Sequence, residues 1–266
     1  ICNWLEKSGR REEVVILSKC GHPDAMWNKR VNEKEMRKDL KKSLEELKTD
    51  YIDIYMLHRD DPDTEVAVAV ETFNAMHEEG NIGAFGASNW THTRIEEANE
   101  YAYKHNLIPF SVSSPNFCLA RQVEDPWGGG CVNISGPENQ EARAWYEKNQ
   151  MPVIAYASLG RGFFSGRMKS EYADHAGDYL DSFAMTGYAC SDNFERLRRC
   201  EIIAEKHGVT VAQIAMNWIF SHPLNIFAIA SMSKADRMKA NREALLLQLS
   251  DEEIAYLNLE TPEFCG

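Results

Sequence analysis

The sequence predicts an α/β fold built on a parallel sheet, and three observations carry that expectation. Six short apolar runs recur along the chain, polar residues stand at the carboxyl end of each, and a helical pattern separates one run from the next. Lys19 and His58 close the first two runs, 14–18 and 52–57. In a repeated strand and helix chain the carboxyl ends of the strands converge on one face, where such folds do their chemistry. The pattern therefore predicts an enzyme.

The opening Ile1-Cys-Asn-Trp-Leu-Glu-Lys7 reads as the middle of an amphipathic helix with Ile1, Trp4 and Leu5 on one face, so the chain is expected to begin inside a longer polypeptide. Val14-Val-Ile-Leu-Ser18 is continuous and β-branched, as in a strand buried on both faces. Asn32 with Glu35 signals a helix start, and Met36, Leu40, Leu44 and Leu47 follow at helical spacing. The second strand is 51–57. A helix over 64–79 stops at Gly80, and the third strand, 82–87, ends at Ser88-Asn89. The helix 91–105 leads to a fourth strand, 109–112, ending at Ser113-Ser114.

The segment 118–137 holds Asp125-Pro-Trp-Gly-Gly-Gly130 and is predicted to be a long loop, with the glycines as a flexible lid tip. Those glycines lack the Lys-Ser/Thr of a P-loop. A helix over 138–149 precedes the fifth strand, 152–157, which ends at Ser158-Leu159-Gly160. A second irregular excursion spans 161–192. Helices over 194–207 and 211–221, a sixth strand over 226–230 ending at Ser231, a helix over 235–247 and a capped tail helix from Ser250 complete the alternation.

Strict alternation means parallel strands with right-handed crossovers, in a doubly wound sheet or a closed barrel. No Gly-x-Gly-x-x-Gly follows a strand, which favours the barrel. A length of 266 residues with 44% hydrophobic content suffices for one full core. Acidic residues (41) outnumber basic ones (29), and the net charge of -12 argues against a nucleic-acid partner. Seven cysteines without C-x-x-C or zinc spacing predict reduced thiols, a cytoplasmic setting and no metal. No apolar stretch is long enough for a membrane helix, so a soluble chain is expected.

Five segments in order resemble the aldo-keto reductase superfamily. They are Val14-Val-Ile-Leu-Ser-Lys19, residues 43–58 ending Tyr55-Met-Leu-His58, Gly80-Asn-Ile-Gly-Ala-Phe-Gly-Ala-Ser-Asn89, Ala155-Tyr-Ala-Ser-Leu-Gly-Arg-Gly162, and 231–241. The resemblance implies a (β/α)8 TIM barrel with six of the eight strand-helix units visible, so that 1–266 is a barrel domain lacking its amino-terminal part. About 60 residues are then expected upstream, with two strands. It implies NAD(P)H-dependent reduction of an aldehyde or ketone, a sugar carbonyl included, with a small-molecule carbonyl or alcohol as substrate. The family's catalytic Lys and His match Lys19 and His58. Its catalytic Asp and Tyr have no match in this sequence and belong to the expected upstream part; without the tyrosine this chain alone is expected to be poorly active or inactive.

Residue by residue, Ser88 and Asn89 match the pair that binds the nicotinamide carboxamide, and Tyr156 matches the aromatic that stacks on the ring. Ser113 or Ser114 stands where the family often has glutamine. Ser158, Leu159 and Gly160 match the loop whose backbone N–H groups receive the pyrophosphate. Ser231, Lys234, Arg237 and Asn241 match the adenine end, where Arg237 and Lys234 suit a 2′-phosphate and favour NADP, with NAD still open. Ala240 replaces the family's usual glutamate there. Trp90 and Trp127 are read as flat rings for the substrate, with packing as the alternative.

The same residues have structural readings: His58 as a core histidine, Tyr156 as a rim aromatic, Arg237 as a solvated arginine. A non-catalytic nucleotide-binding sensor or regulatory subunit is the rival function. Asp125-Pro-Trp-Gly-Gly-Gly130 resembles the insertion of aldo-keto reductase halves fused behind a Gfo/Idh/MocA-type oxidoreductase. Substrate identity, reaction direction and oligomeric state are not legible at this level.

Overall fold

The apolar runs form parallel strands whose ladders bring the polar strand ends into register. The computed structural model describes residues 1–231 and 234–262. The chain divides into two compact units, Ile1–Ser114 and Pro115–Gly266.

The first unit contains α1 (Cys2–Ser8), β1 (Leu17–Cys20), α2 (Glu33–Leu47), β2 (Ile52–Leu57), α3 (Val66–Glu78), β3 (Ile82–Ser88), α4 (His92–Lys104) and β4 (Val112–Ser114). β1 pairs with β2, β2 with β3, and β3 with β4, all parallel. The Asn32 side chain accepts from Glu35 N at 3.0 Å and starts α2, the cap that the sequence signalled. Phe73 of α3 stacks on Phe85 of β3 at 5.4 Å, and Phe110 meets both edge-on, so the core lies between sheet and helices. Gly86 is required where β3 meets β4, because a Cβ there would stand 1.9 Å from Val112 O.

In this unit β1 and β4 begin later than their apolar runs. β1 begins only at Leu17, since Ile16 N donates to the Asp53 carboxylate at 2.8 Å and Val15 is exposed. β4 begins only at Val112, because Ile108 N and Phe110 N donate at 2.8 Å to the side chains of Asn74 and Asn99. Side chains thus take backbone groups that a ladder would otherwise use.

The second unit contains α5 (Gln140–Asn149), β5 (Val153–Ala155), α6 (Ser182–Tyr188), α7 (Ser191–His207), α8 (Val211–Phe220), β6 (Ile226–Ala228), α9 (Ala235–Ala244) and α10 (Asp251–Leu257). β5 and β6 pair in parallel. Residues 213–219 of α8 are all buried, as its nearly continuous apolar sequence requires. The excursion 161–192 is more ordered than expected. It contains a 3₁₀ stretch, Ser170–Asp178, and α6, which Asp181 caps by accepting from Ala184 N at 2.8 Å.

The expected flexible lid is also tied down. Cys118, Leu119, Ala120, Ile134 and Ser135 are buried, and the Asp125 carboxylate accepts from Trp127 N and Cys131 N at 2.8 Å each. The glycines between adopt φ of 82°, 98° and 76°, a turn that side chains would strain. Among the described residues no helix is long and apolar enough to cross a membrane. The six described cysteines form no disulfide with one another, and Cys265 lies outside the described residues.

Candidate active site

Register explains why the first unit gathers Lys19, His58, Ser88 and Asn89. Lys19 is the penultimate residue of β1, His58 follows β2, and Ser88 ends β3, so three adjacent strands present polar groups at the same end. Backbone bonds fix them: His58 N donates to Cys20 O at 2.7 Å, and Asn89 N to Ser114 O at 3.3 Å. Ser88 Oγ donates to Ser114 O at 2.8 Å, while Asn89 Nδ2 donates to His58 O at 3.0 Å. Asn89 turns the chain with a φ of 61°.

The electrostatics follow from burial. Lys19 is held below the ordinary lysine range by desolvation, and no described carboxylate pairs with it. Burial, with the Lys19, His22 and Arg59 charges added, lowers His58 to about 4, so its imidazole is neutral at ordinary pH. A neutral ring retains one N–H donor, the form that can hydrogen-bond a carbonyl oxygen. His22, which sequence reasoning misses, meets His58 edge-on with ring centroids 4.7 Å apart. Its placement three residues beyond Lys19, just past a strand end, is the available signal.

Two expectations in this unit change. Trp90 is only 1% exposed, packed on Phe110 at 5.5 Å with the Arg94 guanidinium 5.1 Å over its ring, so it is a core residue rather than a substrate ring. The left-handed turn at Asn89 sends it there. Ser113 is fully buried in the ladder opposite Ala87, and Ser114 is the residue whose carbonyl positions Ser88 and Asn89.

The second unit holds a cleft of about 620 Å³ beside the ends of β5 and β6. Ser158, Leu159, Arg161, Ser231, Arg237 and Asn241 are among its walls. Ser158 Oγ donates to Ile229 O at 2.8 Å, and the backbone N–H groups of Ser158 and Leu159 have no acceptor among the described residues. Gly160 differs from its reading: its N–H is committed to Ala157 O at 2.7 Å, and its φ of 56° makes it the turn residue. Arg161, quoted in the motif but given no role, lies in the cleft wall and pairs with Asp181 at 3.0 Å. Ser231, Lys234 and Arg237 are exposed. Tyr156 contacts Trp127 edge-on at 5.6 Å, so these two rings do meet.

The aldo/keto reductase family model matches residues 1–259. This chain belongs to the aldo/keto reductase family. Curated relatives include Protein tas of Escherichia coli, 28% identical over 95% of this chain and 76% of its own length. Aldo-keto reductase yakc [NADP(+)] of Schizosaccharomyces pombe is 27% identical over 96% of this chain and 71% of its own. Among such relatives the chain spans 62% to 78% of their length. A thermostable aldo-keto reductase solved with the inhibitor epalrestat superposes with a TM-score of 0.67, at 23% identity, over 95% of this chain and 73% of that one. This aldo-keto reductase chain therefore has the α/β barrel fold that the sequence resemblance implied.

Proposed function

We propose that this chain carries the lysine, the histidine and the dinucleotide-binding residues of a cytoplasmic NADPH-dependent reductase of aldehydes or ketones. The observation that carries the reading is the pairing of Lys19 and His58 at adjacent strand ends, both half-buried and both shifted by desolvation. The cleft in the second unit suits a nucleotide: it has room, two backbone N–H groups at Ser158 and Leu159 that have no acceptor among the described residues, and a cationic side chain at Arg237. NADP is preferred because Arg237 offers a planar fork to a 2′-phosphate, and the relative named yakc [NADP(+)] agrees with that choice.

A reduced nicotinamide, when bound, would supply the hydride that the carbonyl carbon takes up. Ser88 and Asn89 would hold its carboxamide, and Tyr156 is the residue matched to the family's ring-stacking aromatic. Neutral His58 donates a hydrogen bond to the carbonyl oxygen as negative charge develops there. Lys19, a cation without a carboxylate partner among the described residues, would lower the pKa of a tyrosine phenol placed beside it to deliver the proton, a residue for which this sequence has no match. Trp127, next to Tyr156, is the remaining ring for substrate contact, and a sugar or ring ketone suits it.

The test is a titration of the full-length polypeptide with NADPH, followed by tryptophan fluorescence, and then addition of aldehydes and sugar carbonyls. Binding with NADPH consumption is expected. Binding without turnover of any carbonyl favours the regulatory nucleotide sensor, and an absence of binding removes the reading.

A further inference from the structure

A second cavity, of about 150 Å³, lies in the second unit and shares no lining residue with the nucleotide cleft. Arg121, Arg143, Arg196, Trp218 and His222 form its walls. It adjoins a groove of about 370 Å³ along α5, with Pro137, Arg143, His222 and Glu260 common to both.

The charges around this cavity do not balance. Arg196 of α7 is only 7% exposed, yet among the described residues its one hydrogen bond is from Nη1 to Asn193 Oδ1 at 3.2 Å, and no described carboxylate lies within ion-pair distance. A guanidinium has five N–H donors, so most of its capacity is unspent in a nearly dry place. Arg143 spends Nη1 on Ile134 O and Gly136 O, at 2.7 and 2.6 Å, and also lacks a carboxylate partner among the described residues. Burial pushes both guanidinium groups below the ordinary arginine range without approaching neutrality. Of the three arginines in the wall, Arg121 alone is paired among the described residues, to Glu138 at 3.1 Å. Asp192 acts on Arg196 at longer range and Glu260 stands in the wall, and neither reaches ion-pair distance of Arg143 or Arg196.

Buried charges in folded proteins are paired or hydrogen-bonded, because an unpaired one is costly. In a chain of net charge -12, a buried arginine and a half-buried one on one small cavity, neither with a carboxylate partner among the described residues, call for an anion. We propose that this cavity is an oxyanion site, in which Arg196 and Arg143 bind the phosphate or carboxylate group of a small metabolite whose body lies in the adjoining groove. The volume decides the size of the head group: it is well below that of a drug-sized pocket and suits one oxyanion. Arg196 supplies the fork and Arg143 the second charge, with the Trp218 and His222 rings closing the wall.

The experiment is calorimetric titration of the full-length protein with inorganic phosphate, and separately with acetate, at ionic strength held constant with chloride. Wild type, Arg196→Met and Arg196→Lys are compared. Phosphate held in the nucleotide cleft contributes equally to all three proteins and cancels. Arg196→Met should weaken oxyanion binding roughly ten- to a hundredfold, as expected for lost charge-assisted hydrogen bonds, with Arg196→Lys in between. Dependence on Arg196 for phosphate alone identifies a phosphate site, and for acetate as well a more general oxyanion site. Equal binding of both anions by wild type and Arg196→Met, or no binding by wild type, overturns the proposal.

Discussion

The strand ends of the first unit and the cleft of the second both present polar groups to a ligand, but they are built in opposite ways. Around His58 the positions are fixed before anything binds: Ser88 and Asn89 are 1% and 5% exposed and are tied to Ser114 and His58. Around α9 the side chains of Lys234, Arg237 and Asn241 make no hydrogen bond or ion pair with described residues, and Lys234 and Arg237 are exposed. The first arrangement suits groups that must meet developing charge without reorganising. The second suits groups that supply affinity and become ordered on binding. Chemistry should therefore be sensitive to small changes in the first unit, and cofactor choice to changes in the second.

The largest effect should come from crowding the fixed region. Gly86→Ala would put a methyl group into Val112 O, and we expect a loss of about 3 kcal/mol or more, read as lower soluble yield and an earlier urea midpoint. Gly177→Ala, where a Cβ meets nothing within 4 Å and the backbone is not left-handed, should cost far less. Equal losses would break the contrast.

Arg237→Ala comes next. It should weaken NADPH binding about tenfold through the lost guanidinium–phosphate contact, with NADH binding nearly unchanged. A similar loss for both nucleotides would remove the 2′-phosphate assignment while leaving the strand-end residues untouched.

A smaller effect is set by pH. The His58 value of about 4 lies below that of an unfolded histidine, so the unfolded chain binds more protons in the interval between them. Stability should therefore fall as pH drops from about 6.5 toward 4, and His58→Gln should flatten that part of the profile. An unchanged slope in the variant would mean that His58 is not held neutral. The smallest change expected is Asp125→Ala. Freeing Trp127 N and Cys131 N should loosen the glycine turn and raise KM a few-fold, with kcat retained and tryptophan emission shifted.

The sequence reveals the alternation and the order of the strand-end residues, because β-branched runs and helix caps such as Asn32 are local signals. It is less informative where tertiary contacts decide. Asn74 and Asn99 shorten β4, and Asp53 delays β1, through side-chain bonds that hydropathy does not register. Trp90 looks like a site residue because it follows Asn89, and only the left-handed backbone there shows that it enters the core. Gly160 reads as a donor, and the turn to Ala157 consumes its N–H. His22 goes unassigned because the ring contact with His58 joins residues 36 positions apart.

The most direct measurement is a single-turnover reaction of the full-length polypeptide with NADPH carrying deuterium in the transferred position, comparing wild type with His58→Ala. The account predicts a primary isotope effect in the wild type and a hydride-transfer rate roughly a hundredfold or more lower in the variant, at an NADPH affinity that is little changed. A variant that transfers hydride at the wild-type rate would contradict it.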